Sequence, residues 1–541
     1  MTAPPHSYNL ADLWEAVADA VPDREALVVG AERRSYRQLE DRANRLANHL
    51  ASRGVAAGGH VALYLENCPE YLEAMLAAFK LRAVPINVNH RYVAGELRYL
   101  LDDSDAVAVV TQPSLAATVT TVVAELPDVR FTLVTGADYE AALAAADATR
   151  SQGPRSSDDF YIMYTGGTTG LPKGVVWRHE DAFFACVGGG DTAGLQPPVT
   201  SPGQLLERIS ETPLCFMPLA PMMHAAAQWT SLARLLAGDK VVLMSGSLDP
   251  AAAWRTIEAE AVQVLTTVGD AVARPLLDEW DCSGTYDASS LMVFANGGAP
   301  LSPQARQRVR DLLPGVVLAD GFGSSEAGTQ VSSLVSPTGK AQAAGPVRFD
   351  RPRKPTLVIG PDGREVAPGS GEVGTVLAGG HLPLGYYNDP AKTAELFVER
   401  DGQRWLATGD MATVAADGAI ELRGRASGVI NTGGEKVFPE EVESVLVAHP
   451  AVADCLVVGV PDDRWGSAVA AVVQPVPQAE PALTDLVVHC KAQLAGYKAP
   501  KHLVLVERIV RSPSGKADYR WAKATVADVL GEQSAAADAE R

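Results

Sequence analysis

The chain has 541 residues, of which 47% are hydrophobic, so it can bury more than one core and we expect two or more domains. Its 65 acidic and 46 basic side chains give a formal charge of −19, which disfavours nucleic acid or an anionic membrane surface as the main partner. The six cysteines form no Cys-x-x-Cys pair, so the sequence favours buried free thiols in a reducing cytoplasm over a zinc cluster or a disulfide framework. Residues 1–10 lack a basic apolar leader and no apolar run reaches the roughly 18 residues of a membrane span, so neither secretion nor membrane insertion is supported.

The first part of the chain alternates helical segments with short apolar runs. Apolar periodicity predicts helices from Leu10 to Val21 and from Tyr36 to Leu50. Apolar runs at 61–65 and 107–110 flank a further helical stretch from Pro69 to Arg82. This alternation predicts an α/β fold with parallel sheets, in which stacked sheets and helices form a large N-terminal domain.

The loop 165–174 has the composition of a phosphate-binding segment. A predicted buried strand at 158–164 leads into it and another at 175–177 leaves it. Its glycines let backbone N–H groups turn inward, its threonines add hydroxyl donors, and Lys173 adds a charge. The loop is not a Walker A sequence, because its lysine follows Gly170 only after two further residues. An ordinary Gly/Thr turn between strands is the structural alternative.

Further predicted strands at 240–244, 262–267 and 291–295 belong to the same α/β pattern. The last one leads into Asn-Gly-Gly-Ala-Pro-Leu at 296–301, a turn of small residues where a flat base could approach the backbone closely. A plain strand-to-helix turn explains that segment equally well.

Three later segments carry side chains suited to a nucleotide. In the segment 320–326, the ring of Phe322 could stack on a purine and Glu326 could hold a magnesium ion bound to phosphates. The turn 408–410, Thr-Gly-Asp, presents a carboxylate that can accept both ribose hydroxyls, and the arginines of 423–425 could reach the sugar or the phosphates. Taken alone, each segment is also compatible with an ordinary solvated turn.

The pattern of the sequence changes after Arg425. A helix beginning at Pro439, with acidic residues at its positive end, opens a compact α+β module, and we expect the chain to be frayed from Glu532 onward. The predicted organisation is an N-terminal domain at 1–425, a hinge at 426–428 and a C-terminal domain at 429–541, with strands at 454–460, 468–473 and 502–506. Near the end, Pro-Ser-Gly-Lys at 513–516 is a turn with a lysine at its tip, which in isolation is usually just solvated.

In this order, the segments resemble the acyl-adenylate-forming superfamily of acyl-CoA synthetases, aryl-CoA ligases, luciferases and peptide-synthetase adenylation domains. The resemblance covers about residues 10–525, and its most specific parts are the phosphate loop, the turn 408–410 and the turn 513–516. Residues 177–181 and 431–439 look closest to bacterial fatty and steroid side-chain acyl-CoA synthetases.

The resemblance implies an AMP-forming acid:CoA ligase with a mobile C-terminal lid, using ATP, Mg²⁺ and coenzyme A. In such enzymes a carboxylate attacks the α-phosphate of ATP, giving acyl-AMP and pyrophosphate, and a thiol then displaces AMP. The implied catalytic residues are Lys516, His224, Thr165 and Glu326, with Thr165 and Glu326 at the metal. The implied cofactor-binding residues are Thr165, Gly166, Gly167, Thr168, Thr169, Gly170 and Lys173 at the phosphates, Gly298, Ala299, Pro300, Phe322, Gly323 and Ser325 around the base, Asp410 and Arg425 at the ribose, Lys516 at the α-phosphate, and Gly433, Gly434 and Lys436 along the path of CoA.

Two points of the comparison stay open. His224 matches a histidine that lies at the acyl pocket of relatives, but it stands among Met222 and Met223, and a core role is equally compatible for all three and for Trp229. Relatives carry Asp or Lys at the hinge, where this chain has Ser427, so the identity of the hinge residue is open.

Two other functions remain as alternatives. An adenylating enzyme could pass its acyl group to a carrier protein or another nucleophile, or activate a small oxyanion such as nitrite. A non-enzymatic nucleotide sensor is disfavoured by the joint presence of Lys173, Glu326, Asp410, Arg425 and Lys516. The partner is a small-molecule carboxylic acid, with fatty, steroid-derived and aromatic acids all open, and a homodimer is also left open.

Overall fold

The structure, a computed structural model, describes residues 5–150, 153–166, 171–191, 196–299, 301–335, 348–349, 354–432, 435–462, 466–511 and 517–539. Local sequence signals explain where its helices begin. Ser35 and Gln38 form a capping box at the start of a helix: the Ser35 hydroxyl accepts the Gln38 N–H at 3.2 Å, and the Gln38 side chain accepts the Ser35 N–H at 2.8 Å.

The elements before residue 150 are α1 Leu10–Ala20, β1 Glu25–Val29, β2 Glu32–Ser35, α2 Tyr36–Ser52, β3 His60–Tyr64, α3 Pro69–Lys80, β4 Val84–Asn87, α4 Ala94–Asp103, β5 Ala106–Thr111, α5 Ala116–Val123, β6 Phe131–Val134 and α6 Ala137–Ala145.

The middle of the chain completes two large sheets and begins a third. Its first elements are β7 Phe160–Thr165, β8 Lys173–Arg178, α7 His179–Ala185, a 3₁₀ helix Pro202–Arg208, β9 Cys215–Pro218, α8 Ala225–Leu236, β10 Lys240–Leu243, α9 Pro250–Glu260, β11 Val264–Thr267, α10 Asp270–Ser283, β12 Val293–Gly297, α11 Pro303–Leu312, β13 Val317–Ser324 and β14 Gly328–Val335. They are followed by β15 Arg348–Phe349, β16 Thr356–Ile359, β17 Gly374–Ala378, β18 Gly385–Tyr386, α12 Pro390–Leu396, β19 Phe397–Arg400, β20 Gln403–Val414 and β21 Ile420–Arg425.

Within the described residues, these strands form three sheets. An eight-stranded sheet has the order β14-β13-β12-β11-β9-β10-β1-β2 and a seven-stranded sheet the order β18-β8-β7-β4-β3-β5-β6. The central strands of both are parallel, as predicted. Antiparallel strands lie at both edges of the eight-stranded sheet and at the β18-β8-β7 edge of the seven-stranded sheet, whose other edge strand, β6, is parallel to β5. The third sheet, β15-β21-β20-β17-β16 with β19 beside β20, is antiparallel throughout, so the expectation of parallel sheets is wrong for this part of the chain.

The largest core lies between the two mainly parallel sheets. Side chains of α1, α2, α3 and α8 pack there against both sheets, and Trp14, Tyr36, Tyr161 and Trp177 are among the fully buried members. Apolar burial of this extent is the dominant stabilising contribution in a large domain. It holds the edges of the two sheets, where the candidate site residues lie, in a fixed relation.

A short 3₁₀ helix, Ala426–Gly428, separates the third sheet from a smaller set of elements. These are β22 Ile430–Thr432, β23 Glu435–Val437, α13 Pro439–Leu446, β24 Val452–Asp462, β25 Gly466–Pro475, α14 Leu483–Lys491, a 3₁₀ helix Gly496–Lys498, β26 His502–Leu505 and α15 Tyr519–Ala539. In the described part of the chain, β24, β25 and β26 form one sheet, with α13 and α14 on one face and α15 on the other.

Two local expectations are wrong. The residues from Glu532 to Ala539 continue α15 instead of fraying, because glutamate and alanine are strong helix formers. All six cysteines are free, but Cys282 is exposed and Cys68 is only partly buried.

Candidate active site

The candidate phosphate loop connects two antiparallel strands of the seven-stranded sheet. β7 and β8 pair along their length, and the last pair places Thr165 directly opposite Lys173. The ladder therefore fixes both ends of the loop, as the apolar runs on either side predict. The four loop residues 167–170 lie outside the described residues, whereas Gly166 and Lys173 lie within them.

Lys173 is held by two neighbours from the segment 385–389. Its ammonium group forms an ion pair with Asp389 and lies 5.5 Å from the centroid of the Tyr386 ring. Asp389 also accepts the Lys392 N–H at 3.0 Å as the N-cap of α12. The hydrogen bond from Lys173 lowers the pKa of Asp389 below its usual range. The ammonium group at the end of the loop is thus oriented by one aromatic ring and by one partly exposed carboxylate.

Glu326 lies on the turn between β13 and β14, at the edge of the eight-stranded sheet, and is linked to the phosphate hairpin. The Tyr386 hydroxyl donates to Glu326 Oε1 at 3.0 Å. The Trp177 indole N–H donates to the Ser325 carbonyl at 3.1 Å. Because Trp177 is on β8 and Tyr386 is on β18, the two large sheets meet at this turn.

The β13–β14 turn tolerates no side chain at Gly323. A Cβ there would overlap the carbonyl oxygen of Gly328 across the hairpin, where the strand register shifts between Phe322 and Gly323. The ring of Phe322, half-buried, stands one residue before this close approach. The glycine therefore allows the tight hairpin that places Phe322 and Glu326 on either side of it.

The candidate adenine segment follows β12 and lies beside β13. Gly297 pairs with Gly321, the residue before Phe322, so the turn and the aromatic ring are neighbours. The side chain of Asn296 holds the turn in place. Its Nδ2 donates to the Ala299 carbonyl at 2.9 Å, and its Oδ1 accepts the Gly269 N–H at 2.7 Å. Gly298 and Ala299 are described, and Pro300 lies outside the described residues.

Asp410 and Arg425 pair directly across β20 and β21. Arg425 Nε is 2.8 Å from Asp410 Oδ1, and Arg425 Nη1 donates to the Thr408 carbonyl at 3.0 Å. Asp410 is buried, which raises its pKa, while Arg425 opposes the rise and Glu326 adds to it. Among the described residues, Asp410 Oδ2 has no hydrogen-bond partner. A buried carboxylate oxygen is thus available to a ligand.

The first turn of α13 packs against this pair at the predicted hinge. Gly424 has a φ of +130°, in the region that favours glycine, and a Cβ there would meet the carboxylate of Glu440. Burial raises the pKa of Glu440, and the backbone N–H groups of Glu440 and Arg425 oppose the rise. Ser427 belongs to the 3₁₀ helix that follows.

His224 is the residue before α8 and is tied to the phosphate hairpin through its neighbour. The side-chain amide of the buried Asn87 donates to the carbonyls of Met223 and Tyr164, both at 2.8 Å, and accepts the Tyr164 N–H at 2.7 Å. Tyr164 precedes Thr165, so one asparagine joins the candidate acyl segment to the loop. Met222 and Trp229 are core residues, which supports the structural interpretation of these two side chains.

The described residues bring four predicted side chains, Lys173, Glu326, Asp410 and Arg425, into one electrostatic neighbourhood around Tyr386. Burial raises the pKa of Tyr386, Glu326 adds to the rise and Arg425 opposes it. Lys436 is exposed on β23, where it pairs with Asn431. Gly433, Gly434 and Lys516 lie outside the described residues.

Sequence reasoning missed the residues that join these segments. Tyr386, Asp389 and Trp177 connect the parts of the site, yet no local pattern marks them as partners of residues far along the chain. Asn87 and Asn296 carry a usable signal, because each is a polar residue near the carboxyl end of a strand, β4 and β12 respectively.

The chain belongs to the AMP-binding enzyme family. Residues 14–387 match the family described as AMP-binding enzyme, and residues 441–516 match the AMP-binding enzyme C-terminal domain. The two matches lie on either side of the 3₁₀ helix at 426–428.

Individual relatives narrow the class. A medium/long-chain-fatty-acid–CoA/3-oxocholest-4-en-26-oate–CoA ligase of Mycolicibacterium smegmatis is 44% identical over 97% of this chain and 97% of its own. A 3-oxocholest-4-en-26-oate–CoA ligase of Rhodococcus rhodochrous is 44% identical over 95% of each chain. The crystal structure of ATP-bound MatB from Rhodopseudomonas palustris matches with a TM-score of 0.80 at 25% identity, over 96% of this chain and 99% of MatB.

These similarities confirm three predictions from the sequence: the family, the α/β fold class and an AMP-forming acid:CoA ligase. ATP and coenzyme A are the cosubstrates of that class. None of the helices in the described ranges has the length and apolar character needed to cross a membrane.

Proposed function

We propose that the chain activates a medium- or long-chain fatty acid, or a sterol side-chain acid, with ATP and Mg²⁺ and transfers the acyl group to coenzyme A. The names of the mycobacterial and rhodococcal relatives support that substrate class. The observation that carries the proposal is the convergence of Lys173, Glu326 and the Asp410–Arg425 pair around Tyr386. One nucleotide can contact all of these groups, with its phosphates at one end and its ribose at the other.

At the phosphate end, Thr165, Gly166, the loop 167–170 and Lys173 hold the β- and γ-phosphates. A phosphate competes with Asp389 for the Lys173 ammonium group. Such an exchange costs little, because a partly exposed ion pair contributes only about 0–1 kcal/mol.

Thr165 and Glu326 fit Mg²⁺ by their chemistry. A hydroxyl and a carboxylate are the oxygen donors that this ion takes together with substrate phosphates. Bound Mg²⁺ supplies charge neutralisation for those phosphates. The Tyr386 hydroxyl, on Glu326 Oε1, orients the carboxylate.

At the nucleoside end, Asp410 Oδ2, which has no partner within the described ranges, accepts hydrogen bonds from the ribose hydroxyls while Arg425 holds Oδ1. The backbone of 298–300 and the ring of Phe322 enclose adenine, with Gly323 and Ser325 forming the adjoining wall. The pairing of Gly297 with Gly321 leaves this surface without bulky side chains.

In the first half-reaction the acid's carboxylate oxygen bonds to the α-phosphorus and pyrophosphate leaves. Lys516 neutralises charge at the carboxylate and the α-phosphate, and His224 contacts the acid. In the second, the CoA thiol attacks the acyl carbonyl and AMP leaves. The C-terminal domain turns about 426–428 between them, so that Gly433, Gly434 and Lys436 line the path of CoA. We also infer a cytoplasmic location, where a reducing environment keeps the six thiols free.

A panel of acids tests the function. Medium-chain, long-chain, sterol side-chain and aromatic acids are compared for pyrophosphate release and for thioester formation with CoA. We expect the aliphatic or sterol acids to be turned over fastest and to appear as thioesters. A preference for the aromatic acid contradicts the substrate class, and pyrophosphate release without a thioester favours a carrier protein or another nucleophile as the acceptor.

The variant Lys516→Ala tests the division of labour. It should abolish formation of acyl-AMP from acid and ATP, yet largely spare thioester formation from supplied acyl-AMP, because the charge it neutralises develops only in the first step. Equal loss of both steps would refute this role.

A further inference from the structure

Arg274, on α10, bridges the two parts of the chain. Its guanidinium donates through Nη1 to the backbone carbonyl of Ala453, at the start of β24, and through Nε to Asp270 Oδ2 at 2.6 Å. The side chains of Arg274 and Asp270 are 26% and 13% exposed, so the pair is largely shielded from water. A planar guanidinium can serve two acceptors in different directions at once, which a lysine cannot do with the same geometry.

On the N-terminal side, this arginine is continuous with the candidate adenine turn. Asp270 Oδ1 accepts the backbone N–H of Ser302 at 2.7 Å, just after the turn. The residue before Asp270, Gly269, donates its N–H to Asn296, which in turn supports the Ala299 carbonyl. Hydrogen bonds therefore run from the turn to α10 and to the bridging guanidinium.

On the C-terminal side, the contact leads to the base of the segment 512–516, which includes the candidate catalytic lysine. Asp454 follows Ala453 directly and binds Arg511 at 2.7 Å from Nη2 and 3.1 Å from Nε. Arg511 and Ala517, the residues on either side of that segment, form an antiparallel bridge, and we call this bridge the base of the segment. The carbonyl that receives the arginine is one residue away from the carboxylate that holds this base.

We propose that Arg274 is a positioning residue for the adenylation step. By holding Ala453 and Asp270 together, it sets the distance between the adenine turn and the base of the Lys516 segment. Gln304 adds a second contact between the two parts, donating to the Val447 carbonyl at 2.6 Å, but that contact does not lead to Arg511. The proposal rests on the role of Lys516 in the proposed function.

Three variants test the proposal. Arg274→Met keeps the apolar stem and removes both donors, and Arg274→Lys keeps a cation that can still reach one acceptor. The matched control is Arg308→Met on α11, where Arg308 pairs with Asp278 at 2.8 Å and Asp281 at 2.6 Å, both on α10. The control removes an arginine from the same pair of helices without touching Ala453.

We expect Arg274→Met to slow acyl-AMP formation by about ten- to a hundredfold, the range for losing a charged hydrogen bond, and to leave thioester formation from supplied acyl-AMP within about twofold. Arg274→Lys should recover part of the loss, and Arg308→Met should match the wild type. Equal loss in both half-reactions would overturn the proposal.

A readout without catalysis separates this proposal from the proposed function. Cys282, exposed on α10, and a cysteine introduced at the exposed Glu480 take a donor and an acceptor dye, in a Cys68→Ser background. In the ligand-free chain we expect Arg274→Met to shift or broaden the dye distance, while Arg308→Met leaves it unchanged. An unchanged distance overturns the docking role, whereas a wild-type chain that makes no acyl-AMP with any acid overturns only the proposed function.

Discussion

Glu443 on α13 makes the stability of the C-terminal sheet depend on pH in an unusual direction. The carboxylate accepts the Val457 N–H at 2.8 Å and the Tyr519 hydroxyl at 3.2 Å, and burial raises its pKa from 4.5 to about 8. Because the folded-state pKa lies above the unfolded value, the stabilisation is fully present below pH 4.5 and is lost as the pH rises to about 8. At about 1.4 kcal/mol per unit, a difference of 3.5 units (8 − 4.5) corresponds to roughly 5 kcal/mol.

The variant Glu443→Gln should remove this dependence. Glutamine resembles the protonated acid in shape and keeps an acceptor for Val457, so the variant should match the wild type near pH 5. At pH 8.5 it should be more stable by several kcal/mol, up to roughly 5 kcal/mol at about 1.4 kcal/mol per pKa unit. Hydrogen exchange of the β24 amides, corrected for intrinsic rates, reports the opening of this sheet without requiring the whole chain to unfold in one step.

The neighbouring variant Glu441→Gln is the control for this experiment. It removes a carboxylate from the first turn of the same helix, where Glu441 pairs with Lys498 at 2.6 Å, but leaves Glu443 in place. If the wild type and Glu443→Gln lose protection in parallel between pH 5 and 8.5, the buried carboxylate does not carry the pH dependence and the reasoning fails.

Two substitutions test the Glu326 turn. Tyr386→Phe removes the hydroxyl that donates to Glu326 and keeps the ring beside Lys173. Losing a hydrogen bond to a charged group should slow acyl-AMP formation about ten- to a hundredfold and raise the Mg²⁺ concentration required, both measured by pyrophosphate release. An unaltered Mg²⁺ requirement would contradict the orienting role of Tyr386. Gly323→Ala forces a Cβ onto the Gly328 carbonyl and should destabilise the chain by about 1–3 kcal/mol in thermal unfolding, with a greater loss of adenylation than of thioester formation; a fully active, equally stable variant would show that the hairpin relaxes freely.

The sequence predicts most of the strands around the site because their signals are local. Apolar runs at 158–164 and 175–177 predict the two strands that the structure shows as Phe160–Thr165 and Lys173–Arg178. Their antiparallel pairing, which places Thr165 opposite Lys173, is seen only in the structure. Local patterns of this kind depend on burial of consecutive side chains and need no knowledge of distant partners.

The contacts between segments could not be predicted in this way. Tyr386 and Glu326 are 60 residues apart, and Arg274 and Ala453 are 179 apart. Their pairing depends on how the sheets stack, and no period within either segment encodes it. The antiparallel third sheet was not predicted for a related reason. Its strands β20 and β21 bring Asp410 and Arg425 together, but their polar and glycine-containing ends have the sequence pattern of turns.

The arrangement of charges within the site is compatible with the phosphates of a nucleotide despite the net charge of −19. Net charge acts at long range and is screened over about 8–10 Å, whereas Lys173 and Arg425 act by contact with the groups beside them. Each of these cations already has a carboxylate partner, Asp389 and Asp410, and one oxygen of Asp410 stays unpartnered among the described residues. In our proposal a phosphate displaces Asp389, while the ribose uses the open oxygen of Asp410 without disturbing Arg425. Binding thus exchanges one partly exposed ion pair at little cost and satisfies one buried oxygen, and the second change favours the nucleotide.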